Sequence, residues 1–119
     1  MNSKQKGNIA FGECIRYLTN KGYIISIPLN DAQDYDLIVD INGELKTIQI
    51  KYTSTKQTSG NYYVDTRTRG HNNYIKEKEK EADYYFITTE LLKNYFIPYN
   101  VIENKQTFTL NETLKDYLI

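Results

Sequence analysis

The chain has 119 residues, and its fifteen basic side chains balance its fifteen acidic ones. This length suits a single domain spanning residues 1–119, with room for one hydrophobic core. The balanced charge argues against broad non-specific binding of nucleic acid, although a local basic face is compatible with it. A single cysteine, Cys14, excludes an intramolecular disulfide and a cysteine-based zinc site. No apolar run reaches the roughly 18 residues of a membrane span and no signal peptide is visible, so we expect a cytoplasmic protein.

The first half of the chain predicts a helix, a strand and a β-hairpin. Phe11, Ile15 and Leu18 recur at helical spacing and predict a helix over residues 4–21. Gly22 stands where a helix commonly ends in a left-handed residue. A strand over residues 23–27 follows. The clearest local pattern comes next, because strand-like residues 35–41 and 44–53 flank Asn42-Gly43, a favoured two-residue hairpin turn.

The second half of the chain predicts more strands and two further helices. Strands are expected over residues 61–66, 84–88, 95–98 and 107–110. A charged helix is expected over residues 74–82, and an amphipathic helix is expected after an N-cap at Asn111. This order predicts an α/β fold in which helices pack on a single-layer mixed β-sheet.

The hairpin turn sets which residues lie opposite each other. With a two-residue turn, Leu37 faces Ile48 and Asp36 faces Gln49, while Lys51 lies one step beyond Gln49 on the same face. The other face carries apolar residues that we expect to enter the core, namely Tyr35, Leu37, Val39, Ile48 and Ile50. Asp36, Gln49 and Lys51 should therefore meet on the exposed face of the hairpin.

This group has the composition of a magnesium site beside a phosphate. Mg²⁺ prefers oxygen ligands, which Asp36, Gln49 and the backbone carbonyl of Ile50 can supply. The Lys51 ammonium can then contact a phosphate or the attacking water, since a bound metal activates water for phosphodiester hydrolysis. The alternative is an ordinary solvent-exposed sheet face, on which Asp, Gln and Lys are common.

The same residues resemble a nuclease family. Tyr35-Asp36-Leu37-Ile38-Val39-Asp40, a turn, and Ile48-Gln49-Ile50-Lys51-Tyr52-Thr53 look like the motif of the PD-(D/E)XK nucleases. The preceding helix, which carries Glu13 and ends at Gly22-Tyr23, is similar to the first motif of that superfamily. The branch with Gln in place of the second acid resembles bacterial group I intron homing endonucleases, and Holliday junction resolvases share the same order of elements.

The resemblance implies a restriction-endonuclease-like core and Mg²⁺- or Mn²⁺-dependent cleavage of DNA. Carried over to this chain, it makes Asp36 a metal ligand, Gln49 the variant acid position, Lys51 the residue that orients water, and Glu13 a helix acid that binds the metal. Two departures are visible, because Tyr35 replaces the proline of the motif and Gln49 removes one negative charge. The second departure leaves open a domain that binds DNA or a protein without cutting.

Contacts with DNA are expected beyond the hairpin. Lys56, Arg67, Arg69, Asn72 and Asn73 combine cations with amides, as phosphate and base contacts require. An exposed loop is the competing interpretation of this stretch. A nucleophilic pair of Cys14 with the single histidine, His71, has no support in the local sequence.

The substrate we expect is duplex DNA or a four-way junction. Either substrate needs two symmetrically placed sites for complete cleavage, so we predict a homodimer or a larger symmetric oligomer. Exposed aromatic residues among Tyr84, Tyr85, Tyr95, Phe96 and Tyr99 could form the interface, with core packing as the alternative for most of them.

Overall fold

The elements follow the predicted order in a computed structural model that describes residues 1–30, 34–66, 82–103 and 105–119. Within these ranges we label one helix and seven strands, α1 (Ser3–Asn20), β1 (Ile24–Ser26), β2 (Leu37–Ile41), β3 (Glu44–Thr53), β4 (Tyr63–Asp65), β5 (Tyr84–Thr89), β6 (Asn94–Pro98) and β7 (Thr107–Thr109). Short 3₁₀ helices cover Tyr99–Val101 and Glu112–Tyr117. No helix in these ranges is long and apolar enough to cross a membrane.

Helix α1 begins and ends where its local sequence favours it. Asn2 and Gln5 form a reciprocal capping box, in which each backbone N–H donates to the other side chain at 2.9 Å. Gly22 follows the helix with a φ of +81°, the left-handed conformation that a glycine adopts without strain. The fully buried residues Ala10 and Cys14 lie on the face that packs against the sheet.

The β2–β3 hairpin has the predicted turn and register. Asn42 and Gly43 have φ values of +53° and +89°, as a two-residue turn between twisted strands requires. The Asp40 carboxylate accepts a hydrogen bond from the Gly43 N–H at 2.8 Å and braces the turn. The strand ladder runs from Ile41 opposite Glu44 to Leu37 opposite Ile48, which confirms the predicted pairing over β2.

The strands form two sheets, so the prediction of a single layer is wrong. The main sheet has the order β1-β2-β3-β5-β6 and is mixed, because β3 and β5 are parallel while the other neighbours are antiparallel. Strands β4 and β7 form a separate antiparallel pair. These strands are far apart in the chain, so their pairing is a tertiary event that local patterns do not reveal.

Two hydrophobic clusters lie on opposite faces of the main sheet. On one face, α1 covers a cluster formed by Cys14, Leu18, Leu37, Val39, Ile48 and Phe86. On the other face, the β4–β7 pair and the C-terminal 3₁₀ helix cover a cluster that includes Val64, Tyr85, Ile87, Ile97, Phe108 and Leu114. Tyr85 therefore belongs to the core, and the stacked rings of Tyr84 and Phe96, 4.5 Å apart, pack against the helix-side cluster.

The remaining predictions concern the two later helices. The predicted helix over residues 74–82 lies outside the described residues, except for Ala82, which is buried. The expected C-terminal helix is a 3₁₀ helix, yet Asn111 caps it as predicted, because its side chain accepts a hydrogen bond from the Thr113 N–H at 3.0 Å.

Candidate metal centre at the mouth of the hairpin

Asp36 lies immediately before β2 and is held by two hydrogen bonds to β3. Its N–H donates to the Ile48 carbonyl at 2.8 Å, and its Oδ2 accepts from the Ile50 N–H at 2.7 Å. The ladder ends at Leu37 opposite Ile48, so the predicted direct pair of Asp36 with Gln49 is not part of it. In a longer β2, a backbone carbonyl of that strand would accept the Ile50 N–H. Here the side-chain carboxylate of Asp36 accepts it instead.

Gln49 lies between the two residues that Asp36 contacts. Its Oε1 is buried and has no hydrogen-bond partner among the described residues. A buried oxygen without a partner typically costs about 1–3 kcal/mol, so such an atom needs an explanation. A cation bound beside Asp36 would supply the missing partner.

The backbone of Ile50 also faces this position. Along an extended strand, the N–H and C=O of one residue point to the same side, and the next residue points to the other side. The Ile50 N–H points toward Asp36, so the Ile50 carbonyl points to the same edge of β3, beyond the start of β2. Asp36, Gln49 and Ile50 can thus supply a carboxylate, an amide and a backbone oxygen to one ion.

The electrostatics of Asp36 fit a group that lacks a full countercharge. Burial raises the pKa of Asp36 above its ordinary value, while the Ile50 N–H and the positive charge of Lys51 oppose this rise. Asp36, Gln49 and Lys51 are all half-buried. The expectation of an exposed face was therefore wrong, and β4 lies beside Lys51 across a shared cleft. Removing water in this way strengthens the attraction of a carboxylate for a cation.

Glu13 is held by contacts within α1 and with β6. Its Oε1 accepts from the Asn94 Nδ2 at 2.9 Å, and the Asn94 Oδ1 accepts from the Thr88 hydroxyl at 2.8 Å. Its other oxygen lies 3.5 Å from the Arg16 Nε. Asn94 begins β6, which is separated from β2 by three strand spacings, or about 14 Å. The structure joins Glu13 to β6 by these contacts, and its role as a metal ligand stays a prediction.

Cys14 lies near Asp36 but is not a reactive thiol. Burial, with a smaller contribution from the Asp36 charge, raises the pKa of Cys14 to about 12. The thiol is therefore protonated at neutral pH and packs as a small apolar side chain. His71, the single histidine of the sequence, lies outside the described residues.

Asp83 has a structural task next to this site. Its Oδ2 accepts from the Thr47 N–H at 2.9 Å, and its own N–H donates to the Thr47 hydroxyl at 3.0 Å. These bonds lock the start of β5 onto β3 and so set the register that places Gln49 beside Tyr85. The contact was not apparent from the sequence, since the two residues are 36 positions apart.

One of the predicted DNA-contacting residues is described. Lys56 is exposed, and its Nζ lies 5.3 Å from the centre of the Tyr62 ring, whose hydroxyl donates to Glu90 at 2.9 Å. Arg67, Arg69, Asn72 and Asn73 lie outside the described residues. Their contact with DNA stays a prediction.

The donor set fits a hard divalent cation. Within the described ranges, no group of three or more His, Cys, Asp or Glu side chains could hold a metal. A site built from Asp36, the Gln49 amide oxygen and the Ile50 carbonyl has one charged ligand and three oxygens in all. Such a site suits Mg²⁺ or Mn²⁺, which bind through few protein oxygens and retain water.

Comparison with known proteins defines the class. The family model of the PD-(D/E)XK endonucleases matches residues 1–116, and the chain belongs to this family. The mixed sheet with its packed helix is accordingly a restriction-endonuclease-like α/β fold, as the resemblance of the sequence implied. No curated protein matches the sequence significantly.

Two solved structures are similar to this chain. The bacterial homing endonuclease I-Ssp6803I is 28% identical with a TM-score of 0.81, and the match covers 99% of this chain and 89% of that one. MepB is 18% identical with a TM-score of 0.52, over 100% of this chain and 97% of that one, and shares the fold.

Proposed function

We propose that this endonuclease is a metal-dependent enzyme that hydrolyses DNA at a specific site, in the manner of a homing endonuclease. The observation that carries the proposal is the buried Oε1 of Gln49, which has no partner in the described part of the chain and belongs to the residue between the two that Asp36 contacts. Membership in the PD-(D/E)XK endonucleases and the similarity to a bacterial homing endonuclease support it.

Each side chain of the site has a separate task in this proposal. Asp36, Gln49 and the Ile50 carbonyl would hold Mg²⁺ or Mn²⁺, which lowers the pKa of bound water and neutralises charge on the phosphate. Lys51, close enough to Asp36 to affect its pKa, contacts the scissile phosphate or orients the attacking water. Glu13 is the further metal acid that the family resemblance implies, and it would have to leave Asn94 to act there.

A second candidate function has an observation in its favour. Among the described residues, no three His, Cys, Asp or Glu side chains are grouped so that they could hold a metal ion, and Gln49 is neutral. A site with a single negative charge binds a cation weakly, so the domain would bind DNA or a protein partner with little cleavage. Tight binding of DNA without hydrolysis distinguishes this candidate from the enzyme.

Cleavage assays separate these functions. The purified protein is incubated with plasmid DNA, a library of long random duplexes and synthetic four-way junctions, in Mg²⁺, Mn²⁺ or EDTA. We expect cutting at one long site that requires the metal, and loss of cutting in Asp36→Ala and Lys51→Ala. Lys46→Ala is the matched control, because Lys46 lies on the same strand and pairs with Glu44.

The other outcomes are equally distinct. Paired nicks confined to four-way junctions would make the enzyme a junction resolvase. Binding without cleavage of any substrate would establish the second candidate. Wild-type turnover by Asp36→Ala would exclude the proposed site altogether.

Cleavage of both strands also requires a partner subunit. One chain offers one such site, so we propose a homodimer or larger symmetric oligomer that binds two half-sites. Several apolar side chains of the β1–β3 region are exposed, including Ile24 at 69% and Leu45 at 72%, and either could contribute to a subunit interface.

A further inference from the structure

A cleft of about 380 Å³ continues from the proposed metal site toward the beginning of α1. Its walls are Lys51 and the residues that follow it on β3, Lys6 of α1, and the β4 segment Tyr63–Asp65. The consecutive residues Lys51, Tyr52 and Thr53, which alternate between the two faces of β3, all line the cleft, so it lies at an edge of that strand. Strand β5 occupies one edge as far as Thr53, whereas β2 pairs with β3 only as far as Ile48. The cleft therefore opens along the edge that β2 leaves uncovered.

The chemistry of the cleft suits a phosphodiester. Lys6 and Lys51 contribute two ammonium groups, and Ser54 and Thr55 contribute two hydroxyl groups, whereas the Thr53 hydroxyl donates to the Tyr63 carbonyl at 2.6 Å. Neither lysine forms a salt bridge with a carboxylate in the part of the chain that the structure describes. Asp65 is on the β4 wall, so an anion would bind on the lysine side of the cleft.

Lys6 is held in place from the helix side. Its Nζ lies 5.9 Å from the centre of the Tyr52 ring, and Lys6 is half-buried whereas Lys4 is exposed. Contact of the ammonium with an aromatic ring reduces the rotamer freedom that a surface lysine must lose on binding. The charge is thus pre-positioned at the cleft.

We propose that Lys6 is a phosphate-binding residue that holds the cleaved DNA strand at a phosphate next to the scissile one. The proposal rests on the proposed function for the position of the scissile phosphate at Lys51. Lys6 binds and positions the strand, and the chemistry remains with Asp36, Gln49 and Lys51.

The test measures binding separately from cutting. Anisotropy of a labelled duplex in Ca²⁺, over a series of KCl concentrations, gives the affinity and its salt dependence. We expect Lys6→Ala to bind roughly fivefold more weakly and to lower the slope of log K against log[salt] by about one, the loss of one phosphate contact. Lys6→Arg should restore both values. In cleavage, Lys6→Ala should raise KM with little change in kcat.

Two matched lysines serve as controls. Lys4→Ala removes the same charge from the same end of α1 but outside the cleft, and Lys21→Ala removes a lysine that lies 5.6 Å from the Tyr17 ring at the other end. Both should keep the wild-type salt slope. Lys6→Gln retains most of the side-chain stem without the charge and should show the same loss as Lys6→Ala if charge is responsible.

The outcomes distinguish this inference from the proposed function. A salt slope in Lys6→Ala and Lys6→Gln equal to that of Lys4→Ala would overturn the role of Lys6, even with a fully active wild type. If Lys6→Ala lowers the salt slope by one but the wild type cuts no substrate, the phosphate-binding role of Lys6 would be supported and the proposed nuclease activity rejected. A wild type that does not bind DNA at all would overturn both.

Discussion

Asp36 and Gln49 are two polar side chains whose burial is not fully compensated by hydrogen bonds. Asp36 accepts the Ile50 N–H but remains buried enough for its pKa to rise, and Gln49 has a buried oxygen with no partner among the described residues. Both features cost stability in the isolated chain and would be relieved by a bound cation. Destabilising features of this kind are typical of sites that are selected for binding rather than for stability.

The pH dependence of Asp36 gives a test that does not require activity. An acid whose pKa is higher in the folded state than in the unfolded state destabilises the fold as pH rises through that folded value. Asn cannot ionise but can still accept the Ile50 N–H, so we expect Asp36→Asn to melt no lower than the wild type at neutral pH. The difference in melting temperature should shrink as pH falls, because the raised pKa of folded Asp36 lets its carboxyl take up a proton before an ordinary Asp does.

A divalent metal should reverse the order of the melting temperatures of the wild type and Asp36→Asn. Ligand present at ten times its Kd stabilises the folded state by about 1.4 kcal/mol. We therefore expect Mg²⁺ or Mn²⁺ to raise the melting temperature of the wild type and to leave that of Asp36→Asn unchanged. An equal rise in both proteins would place the bound ion elsewhere.

A substitution that preserves the shape of the Glu13 side chain can distinguish a metal ligand from a structural residue. Glu13→Gln keeps an oxygen for the Asn94 Nδ2 and removes the negative charge. If Glu13 binds the metal, we expect a large loss of cleavage with an unchanged melting temperature, measured by plasmid nicking and calorimetry. Full activity in this variant, combined with a lower melting temperature for Glu13→Ala, would make Glu13 a structural link between α1 and β6.

At the scale of the elements, the β2–β3 and β5–β6 hairpins place different residue types at positive φ in their turns. The β2–β3 turn uses Asn42-Gly43, whose residues tolerate positive φ. The β5–β6 connection instead places Leu92 at a φ of +61°, and its N–H donates to the Thr89 carbonyl at 2.9 Å. A left-handed conformation costs a residue with a bulky side chain about 1–2 kcal/mol, so this turn is strained.

Relief of the backbone strain at Leu92 should stabilise the protein. Asn tolerates the left-handed region, so we expect Leu92→Asn to raise the unfolding free energy by about 0.5–1 kcal/mol, seen as a higher midpoint in urea. Leu91→Asn is the control, since Leu91 is similarly exposed but does not have a positive φ. A lower midpoint for Leu92→Asn would show that the leucine packs better than its 56% exposure indicates.

The proposed function also requires the whole molecule to present its site to both strands of DNA. Ile24 and Leu45 lie on either side of Asp40 in the strand register, so they share the face opposite α1. We expect a dimer or larger oligomer by light scattering, and a shift toward monomer in Leu45→Lys. Leu91→Lys adds the same charge at an exposed leucine of the β5–β6 hairpin and should keep the wild-type mass.

A monomeric wild type at micromolar concentration would contradict this prediction. If the protein is oligomeric and Leu45→Lys does not change its mass, the interface uses another surface. The aromatic residues first considered for this role are poor candidates where the structure buries them, because Tyr85 is inaccessible and Tyr84 stacks on Phe96.

The sequence by itself determined the local parts of this protein. The capping box at Asn2, the turn at Asn42-Gly43 and the pairing of β2 with β3 depend on residues close together in the chain, where φ preferences and alternation suffice. Those same rules placed Asp36, Gln49 and Lys51 near one another, and the motif they form indicated the family that the comparison then showed.

Only the tertiary structure decided how those residues are surrounded. The pairing of β4 with β7 joins Val64 to Phe108, 44 residues further along the chain, and β4 forms one wall of the cleft beside Lys51. The replacement of a ladder bond by the Asp36 carboxylate and the link from Glu13 to Asn94 also depend on packing. The physical reason is that burial and long-range pairing are collective properties of the fold, whereas turns, caps and alternation are set by neighbouring residues.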